Sequence, residues 1–442
     1  MSEQWVYRLG EDELLSKERI GGKAWSLGRM MRLGLAVPPA FVITTDACRA
    51  YVAGGQTMPA GLPEQVQAGV AALERDLDRT VGSGPHPLLL SVRSGAPVSM
   101  PGMMDTVLNL GMNDAVEAAL AGESGDAGFA RDTHTRFLTL FGKIVLKTDT
   151  EEQTAADPAG LRQLIGRETG RDIPADPGEQ LRLAIAAVFE SSQSRRARSY
   201  RRHYNLPDDM GTAVTVQAMV FGNLDDQSGT GVLFTRNPLT GERTPYGEYL
   251  PRGQGEDVVS GRHTPEPLSR LAELNASVHG ELLRAAQTLE DTAADVQDIE
   301  FTVQKGVLYL LQTRSAKRAP EAAVRIAVEM VDEGLLTPAE ALGRVSAEQV
   351  RMLLRPHLAP KAAKEADVLA QGEPACPGVG RGVCVTDPDE AHDRAAEGEE
   401  VVLVRESTSP DDVHGMIAAH AVVTETGGAT SHAAVVSRGL GR

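Results

Sequence analysis

The sequence has 442 residues, of which 41% are hydrophobic and only 4% aromatic, and its 61 acidic against 44 basic side chains give a formal net charge of -17. That length exceeds one ordinary domain and implies roughly two to four, with cores built on Val, Leu, Ile, Met and Ala. The negative balance disfavours a general nucleic-acid or anionic-membrane binder, which needs a basic face, but leaves room for a small anionic ligand met by a few local cations.

The charged N-terminus, MSEQWVYRLGEDELLSKE, has no apolar core of a signal peptide, and no apolar run approaches a membrane span. Cys48, Cys376 and Cys384 form no C-x-x-C, so neither a zinc site nor a disulfide framework is indicated. A cytoplasmic location is the expectation. Residues 23–33 read as a helix with Leu27, Met30 and Met31 on one side, followed by a turn at Pro38-Pro39 and a strand over 41–44. Residues 85–93 read as a buried strand leading into the Gly-, Pro- and Met-rich loop SGAPVSMPGMMD. Residues 112–206 look mostly helical, with helical apolar spacing at 115–120, 130–147 and 177–204. Strands return at 213–221 and 231–235 around the polar loop GNLDDQSGT. DIEFTV and VLYLLQTR, within 298–314, form a hairpin signal about Gln304-Lys305-Gly306. A helical stretch over 320–345 precedes a Pro- and Ala-rich connection, and then short strands alternate with brief helices. No internal repeat is evident. The expected division is 1–111, a helical part at 112–206, 207–318 with the hairpin, a helical linker at 319–369, and a last α/β domain at 370–442. About 70 residues is short for that last pattern, so this domain is expected to be incomplete.

Four groups of residues could carry chemistry. Residues two apart in a strand share a face, so Asp298 projects with Glu300, and Gln312 with Arg314. Two carboxylates suit Mg²⁺, and an arginine beside them suits phosphate oxygens. An exposed face with cross-strand ion pairs would carry the same residues. Lys23 follows Gly21-Gly22 at a helix entry, where phosphate binds well, although GGK is a weak signal and no P-loop is present. Arg93 ends an apolar strand, where a charge needs a partner or a ligand. The 99–105 loop, with Met103, could cover a base or simply fill a core, and Glu256 sits in the glycine-rich GQGEDVVSG. In ETGGATSHAAVVSRGLG, Thr430 or Ser431 can cap a helix that carries His432 in its first turn. The free N–H groups and dipole there favour an anion and disfavour the imidazolium, leaving a neutral nucleophilic nitrogen. A capped helix with an incidental histidine is the plainer alternative.

Together these tracts resemble a family. GGKAWSLGRMMRLGLAVPPAFVITTDAC, LLLSVRSGAPVSMPGMMDTVLNLG, VQAMVFGNLDDQSGTGVLFTRNPLTGE, YGEYL, QGEDVVSG, QDIEFTVQKGVLYLLQTR and TETGGATSHAAVVSRGLG look like the N-terminal half of the pyruvate phosphate dikinases, in the family's order. The resemblance implies an α+β and α/β multidomain chain: an ATP-grasp nucleotide-binding region followed by a swivelling phosphohistidine domain. It implies His432 as the phosphorylated residue. Lys23, Arg93, Met103, Glu256, Asp298, Glu300, Gln312 and Arg314 would form the ATP site, with Asp298 and Glu300 on Mg²⁺. In the family the histidine is pyrophosphorylated by ATP with release of AMP. Phosphate then takes the terminal group, and a C-terminal barrel passes the remaining phosphoryl group to pyruvate to give phosphoenolpyruvate. Nothing in the 442 residues resembles that barrel, so pyruvate is expected to be reached through a missing domain or a partner. A homodimer is left open. Thr430 matches a regulatory phosphorylation site of plant relatives, a regulation not inferred for this chain. Thr426, Pro97, Pro251-Arg252-Gly253 and Arg262-His263 depart from the common pattern. A rifampin-type antibiotic phosphotransferase and a phosphocarrier or regulatory module are the alternative readings.

Overall fold

The computed structural model describes residues 3–11, 14–98, 105–148, 157–259, 264–354, 367–376 and 378–442. The chain forms two compact units, Met1–Val220 and Phe221–Arg442. Among the described residues no helix is long and apolar enough to cross a membrane.

The first unit is built on a five-stranded antiparallel sheet in the order Val6–Arg8, Ala40–Ile43, Ala213–Ala218, Leu90–Gly95, Thr106–Leu110. Ala213–Ala218, grouped by the sequence with the strands that follow it, is thus the central strand here, and every one of its residues is buried. Val42, Ile43, Val92, Val214 and Val216 are fully buried, the β-branched core that the low aromatic content requires. The expected helix at 23–33 is the second part of a longer element, Lys17–Arg32, broken at Gly21 (φ 74°, ψ 159°). A Cβ at Gly21 would sit 2.0 Å from the Gly95 carbonyl oxygen. The glycine therefore serves a close approach to the chain's own backbone rather than to a ligand. Gly22 N–H completes that junction by donating to the Ala96 carbonyl at 2.9 Å.

The helical character expected over 112–206 appears as Asp114–Ser124, Ala127–Phe141, a π turn at Gly142–Leu146, Pro158–Thr169, Pro177–Ser191 and Arg195–His203. Asn113, Asp126, Asp157, Asp176 and Ser194 cap the five α-helices through their side chains. Each cap is worth about 1 kcal/mol. Ser194 is also why the apolar run at 177–204 divides into two helices: it begins a new one.

The second unit carries an antiparallel sheet in the order Glu266–Pro267, Tyr246–Pro251, Gly229–Phe234, Gln297–Gln304, Val307–Ser315. The last two strands are the expected hairpin. Lys305 (φ 49°) and Gly306 (φ 74°) turn it, both in the left-handed region that a two-residue hairpin loop demands. One face holds Ile299, Phe301 and Val303 in the core. Phe301 and Tyr249 stack across Gly231, their centroids 6.2 Å apart, and a Cβ at Gly231 would lie 2.6 Å from Phe301 Cζ. The other face is crossed by two rows: Glu248, Val232, Glu300 and Gln312, and Tyr246, Phe234, Asp298 and Arg314.

The helical stretch expected at 320–345 divides into Pro320–Asp332 and Pro338–Arg344, because Gly334 (φ 75°) ends one and a Thr337/Glu340 capping box starts the other. Ala322, Ile326, Ala327 and Met330 join Val232 and Phe234 in one core, so the residues expected as a linker help to build this unit. Beneath lies Arg236, fully buried, with Nε and Nη2 donating to Glu290 at 3.1 and 2.8 Å and Nη1 and Nη2 to Glu333 at 2.9 and 2.6 Å. Burial opposes its charge, but Glu333 and Glu290 outweigh burial and hold the guanidinium more firmly protonated than usual. Arg236→Met should lower stability by about 3–5 kcal/mol, because the glutamates lose their counter-charge. The urea midpoint of this unit reads the effect, and an unmoved midpoint would refute it.

The last strands, Val383–Val385, Val401–Arg405 and Ala421–Thr424, form a parallel sheet in that order. Among the described residues the α-helices of this part are Pro388–Ala396, Val413–Ala418 and His432–Leu440. These are the short alternating elements expected after residue 370.

Candidate functional site

In the first unit, Lys23 lies two residues after the Gly21 break and Arg93 lies two residues before Gly95, the residue against which Gly21 packs. A Cβ on Gly95 would be 3.7 Å from Lys23 Cβ. The glycine junction therefore brings the backbones that carry Lys23 and Arg93 together, and both side chains are half-buried. Met103 lies outside the described residues. Glu256 is on the short Gly255–Val259 helix of the second unit, and its side chain likewise lies outside the description.

In the second unit the hairpin places Asp298 opposite Arg314 and Glu300 opposite Gln312. A bulge follows Glu300, where Phe301 pairs with Leu310 and Leu311 is left over. Asp298 is 3% exposed, so the exposed-face alternative does not hold for it. Its Oδ2 accepts from Arg314 Nε at 2.8 Å, while Oδ1 has no partner among the described residues. Burial pushes the Asp298 carboxyl above its usual range, Arg314 and Arg438 pull it back, and Glu300 adds to the rise. A buried carboxylate oxygen without a donor is costly and is an opening for a cation or a ligand hydrogen. Asp298 and Glu300 fit Mg²⁺, which takes one or two carboxylates and fills its remaining positions with water and phosphate oxygens.

His432 is the first residue of the His432–Leu440 helix, and Ser431 is its N-cap, with Oγ accepting from Ala434 N–H. Nδ1 lies 3.0 Å from Thr408 Oγ1, and Nε2 is buried without a partner among the described residues. Burial pushes the imidazolium below its usual range, and Asp412 opposes this. Thr430, the other capping candidate, instead donates its hydroxyl to Glu248.

Three residues of this region were missed by the sequence reading of roles: Glu248, Thr408 and Arg438. Glu248 stands in the quoted YGEYL tract, and its place two residues from Tyr246 in a strand was the available signal. Arg438 lies in the last turn of its helix, where a cation is commonplace beside the dipole. Only the fold shows it 5% exposed, 5.6 Å from the Phe234 ring and with Nε and Nη1 unpartnered among the described residues. No local signal marked Thr408.

Fold and site thus describe a mixed α/β protein of several sheets, with an acidic hairpin and a histidine at a helix start in one compact unit. Residues 17–60 and 55–279 match the family described as pyruvate phosphate dikinase, AMP/ATP-binding domain, and residues 397–442 match the PEP-utilising enzyme, mobile domain. The chain belongs to the pyruvate phosphate dikinase AMP/ATP-binding domain family. It is 43% identical to a pyruvate, phosphate dikinase of Rhizobium meliloti (strain 1021) over 477 aligned residues, covering 99% of this chain and 53% of the relative. It is 46% identical over 453 residues to the chloroplastic pyruvate, phosphate dikinase 1 of Zea mays (96% of this chain, 47% of the relative). With pyruvate, phosphate dikinase 2 of Zea mays it shares 44% identity over 472 residues, covering 100% and 53%. The chain spans about half the length of these curated relatives. The hairpin at 297–315 lies between the two family matches.

Proposed function

We propose that this chain is the ATP-using half of a pyruvate phosphate dikinase-type phosphotransferase, with an ATP-grasp region, a swivelling phosphohistidine domain and His432 as the phosphoryl carrier. The observation that carries the reading is the state of His432: one ring nitrogen engaged by Thr408, the other buried and unpartnered, at the start of a capped helix. With Nδ1–H donating to Thr408, Nε2 keeps its lone pair. It attacks the β-phosphorus of ATP, the Nε2–P bond forms, and the bridging bond to the α-phosphate breaks with its electrons leaving on AMP. An oxygen of inorganic phosphate then attacks the γ-phosphorus, and cleavage of its bridge leaves pyrophosphate and phosphohistidine. The free N–H groups of the helix start receive the phosphoryl oxygens. Lys23 and Arg93 supply positive charge to the phosphates, Arg314 binds phosphate oxygens through its guanidinium, and Gln312 lines the nucleotide. Mg²⁺, held by Asp298 and Glu300, would neutralise phosphate charge. The final step, from phosphohistidine to pyruvate, rests on the relatives' names and on no residue of this chain. A cytoplasmic location belongs to the same reading.

The test is incubation with Mg²⁺, phosphate and ATP labelled at the β-phosphate. AMP release with acid-labile label on His432 is the expected result, whereas ADP release without labelled protein would overturn the reading. Acid dependence gives a second check. Burial lowers the folded-state pKa of His432, so the neutral nucleophile persists below the ordinary histidine value of about 6.5. The acid limb of phosphoenzyme formation should therefore fall below pH 6.5, and the His432 ring signals should titrate there in NMR. The same depression makes protonation cost folding free energy, so this contribution to stability is present above the unfolded pKa and lost as pH falls through the folded one. A limb above pH 6.5 would contradict the assignment.

A further inference from the structure

Glu248 is 8% exposed, on the strand Tyr246–Pro251 and in the same sheet row as Glu300. Its carboxylate reaches residues 181 and 182 positions along the chain. Oε1 accepts from Ala429 N–H at 3.1 Å, and Oε2 accepts from the Thr430 hydroxyl. Both residues are 2% exposed. Gly428 lies so close that a Cβ there would meet Glu248 Oε1 at 2.3 Å. The Ala429 peptide is gripped from its other side as well, because Arg438 Nη2 donates to the Ala429 carbonyl at 2.6 Å while its guanidinium lies 5.6 Å from the Phe234 ring. Phe234 and Glu248 belong to neighbouring rows on one sheet face. The segment that bears His432 is thus anchored just before the histidine by Glu248 and after it by Arg438.

We propose that Glu248 is a positioning residue, a carboxylate latch that seats the 428–430 loop on the sheet and so fixes where His432 stands. The role in transfer rests on the phosphohistidine reading; the latch does not. A carboxylate is suited to this task because it accepts two hydrogen bonds at once, from a backbone N–H and a hydroxyl, with charge assistance in a water-poor site. It is reversible, because the group that must withdraw is the far end of a flexible side chain. Gly428 is the residue that allows the contact: its lack of a Cβ leaves the space the carboxylate occupies.

The test uses the full chain without nucleotide. Gly428→Ala keeps both latch side chains but pushes the carboxylate away, and Thr430→Val removes the hydroxyl. Both should raise amide hydrogen exchange at 429–435 by about 10-fold while exchange in the 297–315 hairpin stays unchanged. Thr430→Ser, which keeps the hydroxyl, should restore wild-type protection. Unchanged exchange at 429–435 in Gly428→Ala would overturn the latch. Single-turnover labelling from ATP adds a second readout: the same two variants should form phosphoenzyme at least about 10-fold more slowly with unchanged ATP affinity, and Thr430→Ser should recover the rate. Loosened exchange with an undiminished labelling rate would overturn the positioning role. Were the wild type itself never labelled, the phosphohistidine reading would fail, and exchange alone would decide the latch.

Discussion

His432→Asn should abolish acid-labile labelling of the protein by ATP while Mg·ATP still binds. Asparagine is the informative replacement because its amide can keep a hydrogen bond to Thr408, and Ser431 continues to cap the helix through Ala434 N–H. What it lacks is the second ring nitrogen, the buried Nε2 that no described residue engages. Removal of a nucleophile costs on the order of 10⁶ in rate where it has been measured, enough to take labelling below detection. Label that persisted in this variant would show that another group carries the phosphoryl, and His414 and His420 of the same domain would be the next to replace.

The site's main pieces were legible because each has a local cause. The hairpin follows from two alternating apolar runs and a Lys-Gly turn, and alternation alone put Asp298, Glu300, Gln312 and Arg314 on facing strands. The start of the His432 helix follows from a capping serine and two glycines before it. The bulge after Glu300 was not legible, since one extra residue, Leu311, leaves the apolar pattern intact. Nor was the strand Ala213–Ala218 assignable to its sheet: local pattern gives a strand's existence, whereas its neighbours are fixed by contacts across more than a hundred residues. The break at Gly21 escaped for a related reason, because only the approach of Gly95 shows what the missing Cβ makes room for.

Long range also hid the burial that gives the site its character. Asp298 and Glu300 look alike in sequence, as two acids in one strand. In the fold Asp298 is 3% exposed, with Phe234 beside it in the sheet and Arg438 acting on its charge from a helix 140 positions away. Glu248 gained its importance the same way, from partners at 428–430 that no spacing rule reaches.

Asp298→Asn should separate function from stability. Asparagine keeps the volume and a carbonyl oxygen for the Arg314 Nε bond, but it removes the negative charge that the proposed Mg²⁺ site needs. Loss of one such electrostatic group costs about 10²–10³ in rate, so phosphoenzyme formation at saturating ATP should fall by that factor, with a higher Mg²⁺ requirement. Stability should move little at neutral pH or rise. Burial raises the carboxyl's pKa, so the folded chain holds this proton more tightly than the unfolded one. The wild type therefore loses stability as pH climbs through the raised value, and a variant with nothing to titrate there does not. Asp298→Ala differs in one respect: it leaves the Arg314 guanidinium without its acceptor in a largely buried place, at a cost of about 3 kcal/mol, the low end for a broken buried pair because Arg314 stays 27% exposed. Labelling rates together with unfolding free energies from pH 5 to pH 8 decide the matter. An asparagine variant that is both inactive and strongly destabilised would mean that Asp298 holds the hairpin together, and an active one would remove it from the site.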